Sequence, residues 1–507
     1  MIKKININLL CILILLFSLS CIQSAGKLTY DPKIVAGSAK IIGVISAPNN
    51  ANKDSIYVHI FVPHPITGEV VKYKSLADSS GKFSIDVDVE TDISIIGLYT
   101  SLKPYQSLFI KLTSSTTNHI DIAYNSDLSF GELEVSPDGL SRNDMTRGYE
   151  IIGEMIEQKP TKAPEPLYDK NPKLFLEQAK LSLSRRLELL KNDASISNEF
   201  KEILSKDFHI WMYNVHMFDY EGSMKMNYRN ATQDRINEPV VQKINRSYYG
   251  FLKDFNLNDP QYLICSSFWE FQKTILQNEI LAIPEIGESE INSWLSKVKV
   301  ILSDVVGFKD GPYYDILAAN AYGRQLTEEV RPLSETQKKN IAAYWKNGAI
   351  AKILMRKNQQ VVELDKFKSP VVINDLSAVS KDKVIETILA KHKGKVVFID
   401  LWATWCSPCL DAMEQFRSTK NELHKKNVAF VYLTNGSSPR KLWEEKIKGI
   451  GSEHYYLEND QWEYVMNQFK LQYIPSYLLY DKTGKLSTQF SAFPGAEQVK
   501  TMIEGVL

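Results

Sequence analysis

A chain of 507 residues is too long for one hydrophobic core, so about three domains are expected. With 44% hydrophobic and 11% aromatic residues, most of it has the material to fold. Sixty basic residues balance sixty acidic ones, and no basic stripe carries interleaved aromatics, so nucleic acid is not an expected partner.

The N-terminus reads as an export signal. Lys3 and Lys4 precede an unbroken apolar run, Leu9 to Phe17, far shorter than the ~20 residues that span a bilayer. Small residues follow at Ser18 and Ser20, so residues 1–20 are expected to be removed. "SLSC", ending at Cys21, is similar to a bacterial lipobox, although Ser18 stands where the usual leucine would and Leu19 comes one place late. Cys21 is thus a candidate lipidation site that would hold the protein on an envelope membrane; the alternative is a soluble periplasmic protein. No later segment is apolar for long enough to be a second membrane span.

Residues 37–130 read as an all-β sandwich. Ile56, Val58, Ile60 and Val62 alternate with their neighbours, as do Phe83, Ile85, Val87 and Val89, with Ser84, Asp86 and Asp88 pointing to water. "DSSG" (Asp78 to Gly81) supplies the turn before the second set. Residues 140–360 change to a helical period: Leu176, Leu183, Leu187 and Leu190 share one face, and Ser334 to Gln337 forms a capping box. A proline-rich connector, Lys159 to Pro166, lies near the start of this region. This region carries no metal-ligand spacing, phosphate loop or triad. His209, His216 and His392 read as ordinary packing or surface residues. Cys265, in an apolar helical setting, reads as an inert buried thiol.

Residues 365–507 hold the chemistry. Lys395 to Ala403 and Val428 to Thr434 are nearly continuous apolar runs, the signature of strands covered on both faces, and the stretch between them is helical, giving a βαβ unit. "DKTG" (Asp481 to Gly484) joins two further strands, and a helix closes the chain. Cys406 and Cys409 fall where the first strand gives way to the helix. Unpaired backbone N–H groups and the positive helix end lower a thiol's pKa from about 8.5 there. Cys409, three residues on, is on the same helix face and within disulfide reach, and Pro408 suits a first helical turn. Cys406 is therefore expected to attack a disulfide and Cys409 to resolve the mixed disulfide. Asp400, a carboxylate inside an apolar strand, is a candidate proton carrier for Cys409. Pro475 in "YIPS" is a candidate cis-proline beside the dithiol, leaving Ile474 to pair with substrate backbone.

"VVFIDLWATWCSPC", with "YIPSYLLYDKTGKL" about 70 residues later, resembles a thioredoxin-fold domain of the TlpA/ResA class, exported bacterial disulfide reductases. The resemblance implies Cys406 as nucleophile, Cys409 as resolving thiol, Asp400 as buried acid, Pro475 as cis-proline and Trp405 as part of the docking surface. It also implies disulfide-bearing envelope proteins as substrates and an upstream membrane thiol as electron donor. With "ADSSGKFSIDV", the chain further resembles Bacteroidetes envelope proteins in which a β-sandwich precedes such a domain. Two positions depart from the pattern: Ala412 stands where an acidic residue is common, and Glu414 where a helix-kinking proline is. The chemistry calls for no cofactor, and a structural zinc site would need ligands that are not spaced for it. A peroxidase would want a cysteine in a Pro/Thr-rich loop. The alternative to an enzyme is an envelope binding protein in which the thioredoxin domain is mainly structural.

Overall fold

The computed structural model describes residues 30–48, 56–137, 139–159, 166–234 and 237–507. The expected export signal, Cys21 and most of the connector lie outside these. The order along the chain is β, then α, then α/β, the fold class read from the sequence.

Eight strands come first: β1 (Ile34–Ser46), β2 (Tyr57–His64), β3 (Glu69–Leu76), β4 (Lys82–Thr91), β5 (Ile93–Thr100), β6 (Leu108–Thr113), β7 (Thr117–Tyr124) and β8 (Phe130–Ser136). They make two four-stranded sheets, ordered β4-β1-β7-β8 and β3-β2-β5-β6. The alternating residues do what their period dictates: Ile56, Val58, Ile60 and Val62 are buried, as are Phe83, Ile85, Val87 and Val89. The "DSSG" turn is held by the Asp78 carboxylate, which accepts from the Ser80 and Lys82 amides.

The helices that follow are α1 (Arg142–Glu157), α2 (Pro172–Asn192), α3 (Asn198–His216), α4 (Tyr220–Thr232), α5 (Phe268–Gln277), α6 (Ile291–Val306), α7 (Pro312–Thr327), α8 (Glu335–Trp345) and α9 (Ala349–Asp365). On α2, Leu183 and Leu190 are buried; Leu176 is only half-buried because Phe175 takes the inward position in the first turn, and Leu187 is half-buried too. The Ser334–Gln337 capping box forms at the start of α8, with both reciprocal bonds made.

Within the described residues, one compact unit comprises those up to Pro63, Val71–Val241 and Asp259–Phe268; the second comprises His64–Val70, Gln242–Asn258 and Trp269–Leu507. The second unit therefore joins α6 to α9 to the C-terminal α/β layer. That layer contains β9 (Val371–Asn374), α10 (Val384–Lys391), β10 (Val396–Leu401), α11 (Ser407–His424), β11 (Val428–Asn435), α12 (Arg440–Ile450) and β12 (Ser452–Leu457). It ends with α13 (Asn459–Gln468), β13 (Ser476–Tyr480), β14 (Leu486–Ser491) and α14 (Ala496–Glu504). Part-buried ion pairs tie the helices to it. Glu328, just past α7, accepts from Lys273 and from Lys446 of α12, the latter at 2.6 Å, and Arg324 bonds Glu445 of α12 at 2.7 Å.

The six strands run β14-β13-β10-β11-β12-β9, with β10, β11, β12 and β9 parallel and β13 and β14 antiparallel. Every residue of β10 is buried, which is why its sequence lacks alternation. Val397, Ile399 and Leu401 face a core completed by α10 and α13. Val396 and Phe398 face the other core, completed by α11, α12 and α14, and both Cys406 and Cys409 belong to that second core. Phe416 of α11 lies edge-on to Phe430 there; each such ring stabilises the fold by about 1.5–3 kcal/mol on burial.

Candidate functional site

Strand β10 ends at Leu401, and the backbone leaves the sheet in a short loop whose amides are satisfied in turn. Trp402 N–H donates to the Leu433 carbonyl (3.0 Å), Thr404 N–H to the Ser438 hydroxyl (3.0 Å) and Cys406 N–H to the Ala403 carbonyl (3.0 Å). Cys406 is then the N-cap of α11, and its sulfur accepts from the Cys409 amide at 3.2 Å. Sulfur here takes the place that serine or aspartate oxygen takes at other helix starts, in the positive field of the first turn. Pro408 sits in that first turn, where no amide is needed.

Cys406 and Cys409 are joined as a disulfide, with Cα atoms 5.3 Å apart. Cys409 is fully buried and Cys406 nearly so, whereas Ser407 and Pro408 are exposed. Trp405 is 62% exposed, beside a pair of buried sulfurs. Its indole N–H donates to the Ser437 hydroxyl at 3.2 Å. Ile474 packs, half-buried, against the core that contains both cysteines. The Ile474–Pro475 peptide is cis, and Pro475 leads directly into β13. Tyr473, the residue before them, is exposed.

Asp400 lies on the same face of β10 as Phe398, two residues before it, and therefore on the side of the dithiol core. It is paired across the sheet with Tyr432 on β11 and Tyr477 on β13. Its Oδ1 is buried without a hydrogen-bond partner. Burial pushes its carboxyl well above the usual carboxylate range, against a smaller opposing pull from Lys420. Lys420 of α11 is itself buried. Its ammonium lies 5.3 Å from the centre of the Tyr432 ring and donates to the Ile450 carbonyl at the end of α12. Desolvation, aided by Arg417, brings its pKa down to about 7, with Asp400 pulling the other way. His454, fully buried, stacks on the same ring, Tyr432, at 5.0 Å, and burial takes its pKa to about 3.

The structure thus brings together Cys406, Cys409 and Ile474, places Asp400 on their side of the sheet, and leaves Trp405 exposed at the rim. Cys265 belongs to the other compact unit, where it caps a short 3₁₀ turn, Pro260–Ile264; it is buried, and burial raises its thiol pKa well above the ordinary value. His392 and His209 make no metal cluster; among the described residues no group of three or more histidine, cysteine or acidic side chains is arranged for a metal. Ala412 is buried against the core, Glu414 is exposed, and α11 runs unbroken for 18 residues without a proline in that position.

Sequence reading missed Lys420, Ser437 and Ser438. Lys420 had a signal: Ala412, Phe416, Lys420 and Leu423 fall on one helical stripe, so an inward lysine was legible. The serines had none, because they reach the dithiol loop only through tertiary folding.

A thioredoxin-like family model matches residues 394–486. The chain is 26% identical over 118 residues to the thiol-disulfide oxidoreductase ResA of Geobacillus thermodenitrificans, covering 23% of this chain and 67% of that one. To ResA of Bacillus anthracis it is 25% identical over 153 residues, covering 30% and 80%. Among solved structures, it is similar to the thioredoxin domain of a thiol-disulfide oxidoreductase from Bacteroides vulgatus, with 21% identity, a TM-score of 0.22 and coverage of 24% and 84%. On the family model and the ResA matches, the C-terminal part of this chain is a TlpA/ResA-like thioredoxin-fold domain, a thiol–disulfide oxidoreductase, and it carries a Cys406–Cys409 disulfide.

Proposed function

We propose that this protein reduces disulfides of exported proteins in the bacterial cell envelope through Cys406 and Cys409. The observation that carries the reading is the Cys409 amide on the Cys406 sulfur at the start of α11, which favours a thiolate at Cys406 once the pair is reduced. In the reduced protein, the Cys406 thiolate attacks one sulfur of a substrate disulfide; that bond breaks and one substrate thiolate leaves. Cys409, losing its proton to Asp400, then attacks the Cys406 sulfur and expels the second substrate thiolate. Two electrons pass to the substrate, and the Cys406–Cys409 disulfide remains, to be reduced again by an upstream membrane thiol donor. Trp405 supplies apolar contact with the substrate, and Ile474 the backbone beside its disulfide.

Lys3, Lys4 and the apolar run to Phe17 support export, and Cys21 supports a lipid anchor. No helix among the described residues is long and apolar enough to cross a membrane.

The Cys409→Ala protein tests the reading: it should accumulate mixed disulfides between Cys406 and envelope proteins, resolved by dithiothreitol. Their absence would favour the binding-protein alternative. Equilibration with glutathione fixes the direction: a potential near that of thioredoxin, about −270 mV, marks a reductase, and one near −120 mV an oxidant.

A further inference from the structure

The loop after β11, residues 436–439, touches the dithiol loop twice. Ser438 is fully buried, and its hydroxyl accepts from the Thr404 amide, two residues before Cys406, at 3.0 Å. That hydroxyl is oriented by a second bond to Thr434 at 2.8 Å. Its carbonyl in turn accepts from the Tyr456 hydroxyl at 2.6 Å, and its amide donates to the Asn435 carbonyl at 2.9 Å. The backbone of Ser438 is therefore fixed from β11 and from β12. Ser437 is the other contact. It accepts from the Trp405 indole at 3.2 Å and donates to the Asn435 carboxamide at 2.7 Å.

We propose that Ser438 and Ser437 are positioning residues for disulfide exchange: Ser438 fixes the backbone that delivers Cys406 to the helix start, and Ser437 sets the indole of Trp405 toward a protein substrate. This rests on the function proposed above. The physical ground is the steepness of both effects. A thiolate gains from the helix terminus only within the first turn, so a loop that drifts loses the gain. The Thr404 amide, buried and without Ser438, would drive such a drift to find another acceptor. An exposed indole free to rotate has no fixed face to offer.

The two serines separate in experiment. In the reduced full-length protein, Ser438→Ala raises the pH midpoint of Cys406 alkylation by about half to one unit. It also lowers kcat/KM on a protein disulfide roughly tenfold or more. Ser438→Thr, which keeps the hydroxyl, returns both toward wild type. Ser437→Ala keeps the midpoint and raises KM several-fold. A Ser438→Ala protein that titrates and turns over as wild type overturns the assignment of Ser438, and an unchanged KM in Ser437→Ala overturns that of Ser437. Should Ser438→Ala fail to fold, Thr434→Val, which frees the Ser438 hydroxyl to rotate, must move the midpoint in the same direction or the clamp is refuted. If wild type reduces no disulfide, the enzymatic reading fails on its own, while the alkylation midpoints still decide whether Ser438 places Cys406.

Discussion

Lys420 holds its ammonium 5.3 Å from the ring of Tyr432, the residue directly across from Asp400 on the neighbouring strand. A buried acid and a buried base thus share one aromatic-walled space on the dithiol side of the sheet. Each loses solvation, and each shifts toward its neutral form: the carboxyl upward, the ammonium down to about 7.

From this follows the behaviour of Asp400→Asn. Removing the proton acceptor proposed for Cys409 should slow the resolving step by about a hundredfold and flatten its pH dependence, while Cys406 alkylation stays near wild type. The stability effect has a definite sign. A carboxyl whose folded pKa lies above its unfolded value of about 3.9 binds more protons in the folded state between the two. Its contribution is present in full at lower pH and is lost as pH rises through the folded pKa. Asn, which does not titrate, should therefore be increasingly more stable than wild type as pH rises through that window, read by urea unfolding across pH. Identical profiles would show that Asp400 does not titrate there.

Lys420→Met acts on the same pair from the other side. Lys420 pulls the Asp400 pKa down, so its removal lets the carboxyl rise further. The pH at which the resolving step accelerates should move up, with the Cys406 midpoint unchanged. Stopped-flow measurement of mixed-disulfide resolution between pH 6 and 10 checks this, and a limb that stays in place would uncouple the two groups.

Legibility of this site followed sequence distance. The dithiol, its strand and its helix are contiguous, so Cys406, Cys409 and Asp400 could be read from one short run with period and chemistry together. Pro475, about 70 residues later, was legible because "YIPS" opens a strand. Ser438 and Lys420 matter through contacts that folding makes: an amide across two loops, and an ammonium over a ring on another strand. The fold shows the same divide. Alternation in β2 and β4 and continuous burial in β10 are local signals, and the structure follows them. The attachment of α7 to α12 depends on Glu328 meeting Lys273 and Lys446, from 55 and 118 residues away, and no local pattern announces it.

Trp405→Ala should leave the dithiol chemically intact. The side chain is 62% exposed and its indole N–H donates to the exposed Ser437, so the change in stability should stay within about 0.5 kcal/mol. The loss belongs to binding: KM for a protein disulfide should rise about tenfold or more, whereas reaction with a small aromatic disulfide, which needs no docking surface, should stay within twofold. Equal losses on both substrates would place Trp405 in the chemistry and not in recognition.

Glu328→Gln probes the attachment of α12, the helix that follows directly from the serine loop. The Glu328 carboxylate is largely shielded from solvent, its side chain 11% exposed, and accepts from both Lys273 and Lys446. Burial works against its ionisation, but the two ammoniums prevail and hold its pKa well below the ordinary range. Replacing it with Gln leaves the buried Lys446 and the half-buried Lys273 without their counter-charge, which should cost about 3 kcal/mol, the low end for a buried pair, in urea unfolding at pH 7. A carboxylate with a depressed folded pKa gives stability that is present above its unfolded pKa of about 4.3 and lost as pH falls through the folded value. The gap between wild type and variant should therefore narrow on acidification below pH 4. The reduction potential of Cys406 and Cys409 should remain at the wild-type value in the folded variant, because the loop bonds of Ser438 come from β11 and β12 and not from α7. A potential that moves with Glu328→Gln would instead show that α12 transmits the state of the helices to the dithiol.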